Sequence, residues 1–314
     1  MKSLTAFRHR WWLVAAAGVA SSLMVSEVRA DCQRHMQQFN QAAETSSVAD
    51  ITQAFAQLDA SEDCLATDKN KARRATANRL FRIAYHGSLH GMPSSEVDQL
   101  LKRSESYAPT WRTLTFLGTQ DHRAGHFDSA AMRLQKALAL IDDAYETPTA
   151  PAVNTIKNLH QMASESLLLA HQFVSPPQVR GVSSGVLAQS VRGFSVQSSP
   201  LPIRFETAST KFTAQGLQAA EALYVALRGQ GDGPVEIIGH ADERGDEQYN
   251  MKLSLERAER VRDWLLEKGL SRKVVASGRG EAEPMSLSDA SSYNQTQVWQ
   301  LNRRVELVRF VAAN

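Results

Sequence analysis

The chain has 314 residues, of which 43% are hydrophobic and 22% are charged, so it is long enough for two domains of ordinary globular composition. Its formal charge is +2, but the first 30 residues hold four basic side chains and one acidic one. Without them the net charge is about −1, and the composition therefore gives no indication of a nucleic-acid-binding protein.

Residues 1–30 have the pattern of a secretory signal peptide. Three basic residues among the first ten precede the apolar run WWLVAAAGVASSLMV, and the letters VRA then allow cleavage after Ala30. The run is shorter than the ~20 residues that span a bilayer as a helix. We therefore favour cleavage and export over a retained membrane anchor.

The exported chain contains two cysteines, Cys32 and Cys64. In an oxidising compartment they are expected to form a disulfide that closes the start of the N-terminal domain. Two free buried thiols are the alternative. Asp31 precedes Cys32 where a lipoprotein would have a small residue, so a lipid anchor is not expected at this cysteine.

Residues 31–173 are predicted to form an all-α domain. SSVADITQAFAQLDA places apolar residues at 48, 51, 55 and 58, which is the spacing of an amphipathic helix. ARRATANRLFRIAYHG and SSEVDQLLKRSESYAP predict two further helices, the second ended by Pro109.

Residues 110–142, TWRTLTFLGTQDHRAGHFDSAAMRLQKALALID, have small and apolar residues at helical spacing on both sides of a glycine turn. These residues are Leu117, Gly118, Gly125, Ala130, Leu134 and Ala137. The arrangement resembles a tetratricopeptide repeat, although Asp121 stands where that pattern usually has an aromatic residue. The resemblance implies a groove for a protein partner; a plain helical bundle is the alternative.

Two histidine pairs, His86/His90 and His122/His126, are each four residues apart. This spacing can place two metal ligands on one helix face, but a metal site needs further ligands, and no HExxH or CxxC motif supplies them. We interpret these histidines as solvated side chains and expect neither a metal nor a cofactor.

A change of composition at residues 174–199, rich in Pro, Gly and Ser, predicts an interdomain linker. Residues 200–314 then alternate between strand and helix patterns. LPIRFE, VEIIGH, KVVASG and RRVELVRF are the predicted strands. Their order with the helices, β-α-β-α-β-β, predicts an α/β sandwich with helices packed over one sheet.

The letters GHADERG, followed by YN, LS and RA on a predicted helix and by NRRVEL at the last strand, recur at fixed spacing in this domain. They resemble the OmpA-like peptidoglycan-binding domain of the OmpA C-terminal and Pal family. The resemblance covers roughly 200–311, about a third of the chain. It implies a domain that holds the diaminopimelate of the peptidoglycan stem peptide without reacting with it.

Diaminopimelate presents an ammonium and a carboxylate, whose complement is one carboxylate and one guanidinium. The resemblance implies that Asp242 binds the ammonium and Arg257 the carboxylate. The other implied binding residues are Arg244, Leu253, Phe205, Glu206 and Asn250. Asn302, Arg303 and Arg304 match the family's NRR letters and are expected to hold the last strand and the pocket wall. From the residues alone, an internal Asp242–Arg257 ion pair is the alternative.

The sequence thus predicts a non-catalytic protein of the periplasm that is associated with the cell wall, with attachment to the outer membrane left open. Its α/β domain would bind peptidoglycan, and its helical domain would bind an envelope protein. An adaptor that acts mainly through the helical domain, or an enzyme that modifies peptidoglycan, are the alternatives. No nucleophile pattern accompanies His240, which we interpret as a packed core residue.

Overall fold

The computed structural model describes residues 17–44 and 47–310, with side chains from residue 31 onward. Most of the predicted signal peptide therefore lies outside the described residues, and positions 17–30 are described only as helical backbone. None of the described helices has both the length and the apolar character of a membrane span. The chain divides into two compact units, Met1–Pro109 and Thr110–Asn314.

The first unit contains four described helices: α1 (Ala17–Glu44), α2 (Val48–Ala60), α3 (Ala66–Leu89) and α4 (Ser94–Tyr107). The hydroxyl of Ser47 accepts a hydrogen bond from the Asp50 amide and so begins α2. A core that includes Phe39, Ile51 and Leu58 lies around Cys64. The predicted disulfide between Cys32 and Cys64 is confirmed, and it joins α1 to the turn before α3.

The second unit begins with three helices, α5 (Trp111–Arg123), α6 (Phe127–Asp142) and α7 (Val153–Leu169). Gly118 lets α5 and α6 approach closely, because a Cβ there would lie 2.7 Å from Cδ2 of Leu134. Asp121, which departs from the repeat pattern, forms an ion pair with Arg133 on α6. The predicted helical N-terminal region is confirmed, whereas its tetratricopeptide character stays a prediction.

The segment predicted as a linker is folded. It forms two short antiparallel hairpins, β1 (Gln178–Val179) with β2 (Val182–Ser183) and β3 (Ser190–Val191) with β4 (Phe194–Ser195). Between them, Val186 and Ala188 pack with α6 and α7, while Leu187 packs into the core of the α/β region. These residues are buried. The compact units divide at Pro109–Thr110, and the boundaries at 173 and 199 stay predictions.

The α/β region contains one four-stranded sheet in the order β5-β8-β6-β7. The strands are β5 (Ser198–Leu201), β6 (Val235–Gly239), β7 (Val274–Gly278) and β8 (Val305–Arg309), and only β6 and β7 are parallel. The helices are α8 (Ala214–Arg228), α9 (Glu247–Glu267) and α10 (Gln295–Asn302). The predicted α/β architecture is confirmed, with α10 as an element that the sequence pattern did not indicate.

Two glycines bring α9 directly against the sheet. A Cβ at Gly239 would lie 2.0 Å from the carbonyl oxygen of Ser254, and one at Gly278 would lie 2.6 Å from the amide nitrogen of Leu255. Any larger residue would push the helix away. This close packing holds the middle of α9, including Arg257, beside the end of β6.

Candidate functional site

A cavity of about 630 Å³ lies beyond the end of β6, between the β5–α8 loop, α9 and α10. All seven residues predicted to bind the ligand line it: Phe205, Glu206, Asp242, Arg244, Asn250, Leu253 and Arg257. The fold therefore brings together side chains that are separated by up to about fifty positions in the sequence. Their role in binding stays a prediction.

Asp242 lies three residues after β6 and is 5% exposed. Its carboxylate accepts hydrogen bonds from Arg244 Nε at 2.8 Å and Nη2 at 2.9 Å, and from Arg303 Nη1 at 2.5 Å. Burial alone would raise the pKa of this carboxyl, but the bonds from the two arginines outweigh burial and lower the pKa to about 2. Asp242 is therefore a fixed negative charge at neutral pH.

Arg257 on α9 has a different environment. It forms no ion pair with any described residue, and its Nε donates to the carbonyl oxygen of Ser209 at 3.2 Å. Its guanidinium lies over the ring of Phe205, 5.2 Å from the ring centroid. Burial lowers its pKa, and the nearby charge of Arg303 adds to this effect. The alternative of an internal Asp242–Arg257 ion pair is not what the structure contains.

Asn250 fixes the loop that carries Asp242. Its Nδ2 donates to the carbonyl oxygens of Asp242 and Arg244, both at 3.1 Å, and to Glu281 Oε2 at 2.7 Å. The side chain that caps α9 is Asp246, which accepts from the Tyr249 amide. Asn250 therefore holds the loop that carries Asp242, and it does not cap the helix.

The β5–α8 loop forms the cavity wall around Phe205. The backbone of Phe205 pairs with that of Phe212, and the two rings stack with centroids 5.2 Å apart. Glu206 is exposed and its Oε1 lies 2.7 Å from Lys211 Nζ, so this carboxylate is held within its own loop. Leu253 is half-buried on α9 and supplies apolar surface.

Two residues that contact the predicted binding residues were not themselves predicted to bind: Arg303, which lines the cavity, and Trp299, which does not. Arg303, which the sequence suggested only as a wall residue, contacts Asp242 directly. The guanidinium carbon of Arg244 lies 4.3 Å from the ring centroid of Trp299 on α10. The Trp299 Nε1 donates to Glu243 Oε1 at 2.6 Å. The NRR letters were the only signal for Arg303, and Trp299 belongs to the helix that the pattern did not indicate.

The charges that line the cavity are unequal. Arg204, Arg244, Arg257 and Arg303 face two carboxylates, Glu206 and Asp242. An excess of guanidinium groups suits a ligand that has more carboxylates than ammonium groups.

Two histidines of interest in the sequence lie outside this cavity. His240 is 2% exposed, with Nε2 3.7 Å from Glu306 Oε1. His122 was expected to be solvated, but it is buried against Ser166 and Tyr293, so that interpretation is wrong. Across residues 31–44 and 47–310, no three His, Cys, Asp or Glu side chains are grouped as metal ligands would be.

Residues 204–296 match the OmpA family. Peptidoglycan-associated lipoprotein from Pseudomonas aeruginosa is 30% identical over 135 residues, which cover 43% of this chain and 77% of that protein. Outer membrane protein A from Serratia marcescens is 39% identical over 87 residues, covering 27% of this chain and 24% of that protein.

Among solved structures, the peptidoglycan-associated lipoprotein from Burkholderia pseudomallei aligns with a TM-score of 0.30 and 27% identity, over 36% of this chain and 90% of that one. The chain spans less than half of the length of most of the curated relatives it matches.

Proposed function

This chain belongs to the OmpA family, and on that premise we propose that it is a non-catalytic cell-envelope protein that binds peptidoglycan through the cavity beside β6. The observation that supports this proposal is the environment of Arg257. Its guanidinium lines the same cavity as the ionised Asp242 and has no ion-pair partner among the described residues.

The proposed ligand group is diaminopimelate of the stem peptide. Arg257 would bind its carboxylate through two parallel hydrogen bonds, an arrangement that the planar guanidinium allows and a lysine does not. Asp242 would accept hydrogen bonds from its ammonium. The Asp242 carboxylate already accepts four hydrogen bonds from Arg244 and Arg303, so the ammonium would replace or share one of these donors when the ligand enters.

Peptidoglycan binding would place the protein in the periplasm against the cell wall. The name of one relative, peptidoglycan-associated lipoprotein, supports this location. The helical first unit would then be available for an envelope protein partner, and nucleic acid is not a proposed ligand. Catalysis is not proposed: the two carboxylates that line the cavity are paired with cations, Asp242 with Arg244 and Arg303 and Glu206 with Lys211.

Sedimentation with purified sacculi tests the proposal. Arg257→Ala is expected to weaken binding roughly ten- to a hundred-fold, since a hydrogen bond to a charged group contributes about 1.5–3 kcal/mol. Arg257→Lys is expected to restore little of it. Arg260→Ala is the matched control, because Arg260 is on the same helix but lies over Phe212 outside the cavity.

Two further measurements separate the alternatives. Asp242→Asn should weaken binding strongly, and free diaminopimelate should compete with sacculi better than lysine does. Release of muropeptides by the purified protein would instead indicate an enzyme. If Arg257→Ala bound sacculi as the parent does, with an unchanged melting temperature, the proposed site would be wrong.

A further inference from the structure

Helix α7 ends at the cavity. The last carbonyl groups of a helix have no partner within the helix and need donors from elsewhere. The Leu168 carbonyl accepts hydrogen bonds from Arg204 Nη2 at 3.1 Å and from Gln300 Nε2 at 2.9 Å. The Ala170 carbonyl accepts a further bond from Arg204 Nη2. We call these four residues the α7 junction.

The two donors of the α7 junction belong to opposite walls of the cavity. Arg204 directly precedes Phe205 in the β5–α8 loop, and Gln300 lies on α10, three residues before Arg303. Leu168, Arg204 and Gln300 all line the cavity themselves. The end of α7 therefore joins two walls of the cavity. One is the β5–α8 loop, whose Phe205 ring lies under Arg257, and the other is α10, which is followed by Arg303, the partner of Asp242.

Further contacts hold Arg204 in this orientation. Its Nη1 donates to Gln215 Oε1 at 2.9 Å, and the Gln215 amide in turn donates to the His171 carbonyl just beyond α7. The backbone carbonyl of Arg204 accepts from the Thr213 amide at 3.0 Å. Arg204 is thus fixed at both ends, by the loop that it belongs to and by α7.

We propose that the C-terminal turn of α7 positions the two walls of the peptidoglycan cavity, with Arg204 and Gln300 as positioning residues. This inference rests on the proposed function. Leu168 and Ala170 lie before the segment that matches the OmpA family, residues 204–296, so the contribution of α7 is an addition to the matched domain. Helices α5–α7 then form part of the binding unit, and only α1–α4 form a separate helical unit.

The same helices contact the α/β region at a second place, which offers a matched control. The Tyr293 hydroxyl donates to Glu165 Oε2 at 2.6 Å and lies 2.7 Å from His122 Nε2. The Ser288 amide donates to Glu165 Oε1 at 2.6 Å. None of these four residues lines the cavity. Tyr293→Phe therefore weakens the docking of α5–α7 without changing a cavity wall.

The experiment measures the affinity of the full chain for a soluble muropeptide, well below the melting temperature of every variant. Gln300→Ala is expected to weaken binding roughly three- to ten-fold, the value of one lost neutral hydrogen bond, and Arg204→Ala by more, roughly ten-fold or above, because its lost donor is charged. Arg204→Lys should recover part of the loss, because an ammonium can still donate to the two carbonyls. Tyr293→Phe should lower the melting temperature and leave the affinity unchanged.

The outcomes are distinct. If Arg204→Ala and Gln300→Ala bind as the parent does while Arg257→Ala does not bind, the positioning role is wrong and the proposed function stands. If Tyr293→Phe weakens binding as much as Gln300→Ala, any loss of contact between α5–α7 and the α/β region lowers the affinity. The specific positioning role of Arg204 and Gln300 is then also wrong. If the parent itself does not bind, the proposed function fails, and the inference fails with it.

Discussion

The two groups of helices in this chain look alike in sequence but have different partners in the structure. Helices α1–α4 pack around their own core and are closed by the Cys32–Cys64 disulfide. Helices α5–α7 share their core with Val186, Ala188 and Val191. Helix α7 also accepts hydrogen bonds from the α/β region and donates one to it. Apolar periodicity identifies the buried face of a helix, but it does not identify what covers that face.

Removal of α5–α7 is expected to have the largest effect. In a fragment that starts at Ser198, the buried Arg309 guanidinium loses the carbonyls of Leu187 and Val196, and the Leu187 side chain is absent from the core. We expect its free energy of unfolding to be lower than that of fragment 110–314 by more than about 3 kcal/mol. Urea denaturation followed by circular dichroism checks this, and equal midpoints for the two fragments would contradict it.

Reduction of the disulfide should affect only the first unit. The bond joins residues 32 positions apart, so its loss should lower the free energy of unfolding of that unit by about 2–4 kcal/mol through the added freedom of the unfolded chain. The unfolding of fragment 110–314 should not respond to reductant, because both cysteines lie before residue 110. A variant with Cys32→Ala and Cys64→Ala is the control and should also be insensitive to it.

Acidification should destabilise the second unit. His160 on α7 and His240 after β6 are 6% and 2% exposed, and burial lowers the pKa of each to about 4. Unfolded histidine titrates near 6.5, so between these values the unfolded chain binds protons that the folded chain does not. The stabilisation is complete above about pH 6.5 and is lost as the pH falls towards 4.

Between pH 7 and pH 5 we expect fragment 110–314 to lose about 1–2 kcal/mol for each of these histidines. Urea denaturation at pH 7, 6 and 5 measures the loss. His160→Gln keeps a donor for the Val186 carbonyl but does not titrate, so it should reduce the pH dependence by about half. An unchanged slope would show that His160 does not contribute.

The smallest effect is expected in the exposed loop of the cavity wall. The Lys211 and Glu206 side chains are 74% and 48% exposed, so their ion pair is well solvated. Lys211→Ala should change the free energy of unfolding by less than about 0.5 kcal/mol. Thermal melts of Lys211→Ala and Tyr293→Phe compare this loop with the buried contact of α5–α7. A larger drop in melting temperature for Lys211→Ala than for Tyr293→Phe would contradict the prediction.

Much of the fold could be predicted from local pattern. Strand and helix periods gave most elements of the α/β region, although β5 (Ser198–Leu201) overlaps the predicted strand LPIRFE only at Leu201. The export pattern with two cysteines gave the disulfide. Helix α10 was missed because QTQVWQLN has few apolar positions and its start depends on a capping box between Asn294 and Gln297. Pro, Gly and Ser at 174–199 indicate irregular backbone and so predict a linker, but they do not indicate that Val186, Ala188 and Val191 within it are buried by contacts distant in sequence.

The sequence identified residues that line the cavity, but it did not indicate which hydrogen bonds and ion pairs these residues form. Asp242 and Arg257 stand at fixed spacing in a family pattern, whereas the bond from Arg303 to Asp242 depends on how β8 returns beside β6. The hydrogen bonds of Arg204 to α7 join positions about 35 residues apart with no pattern between them. Such contacts follow from the tertiary packing and carry no local signal.

Val186 and Ala188 pack into the core of α5–α7, whereas Leu187 packs into the core of the α/β region. This alternation affects how the second unit resists a pulling force. If the cell wall holds the cavity and tension is applied to the chain before Thr110, the force reaches the sheet through α5–α7 and then through β5. Strand β5 runs antiparallel to β8, and the force acts along it, so the four register pairs between these strands resist together. Before β5 can slide, Leu187 must leave one core while Val186 and Ala188 leave the other. This segment therefore resists load on the second unit at a place separate from the residues proposed to bind the ligand.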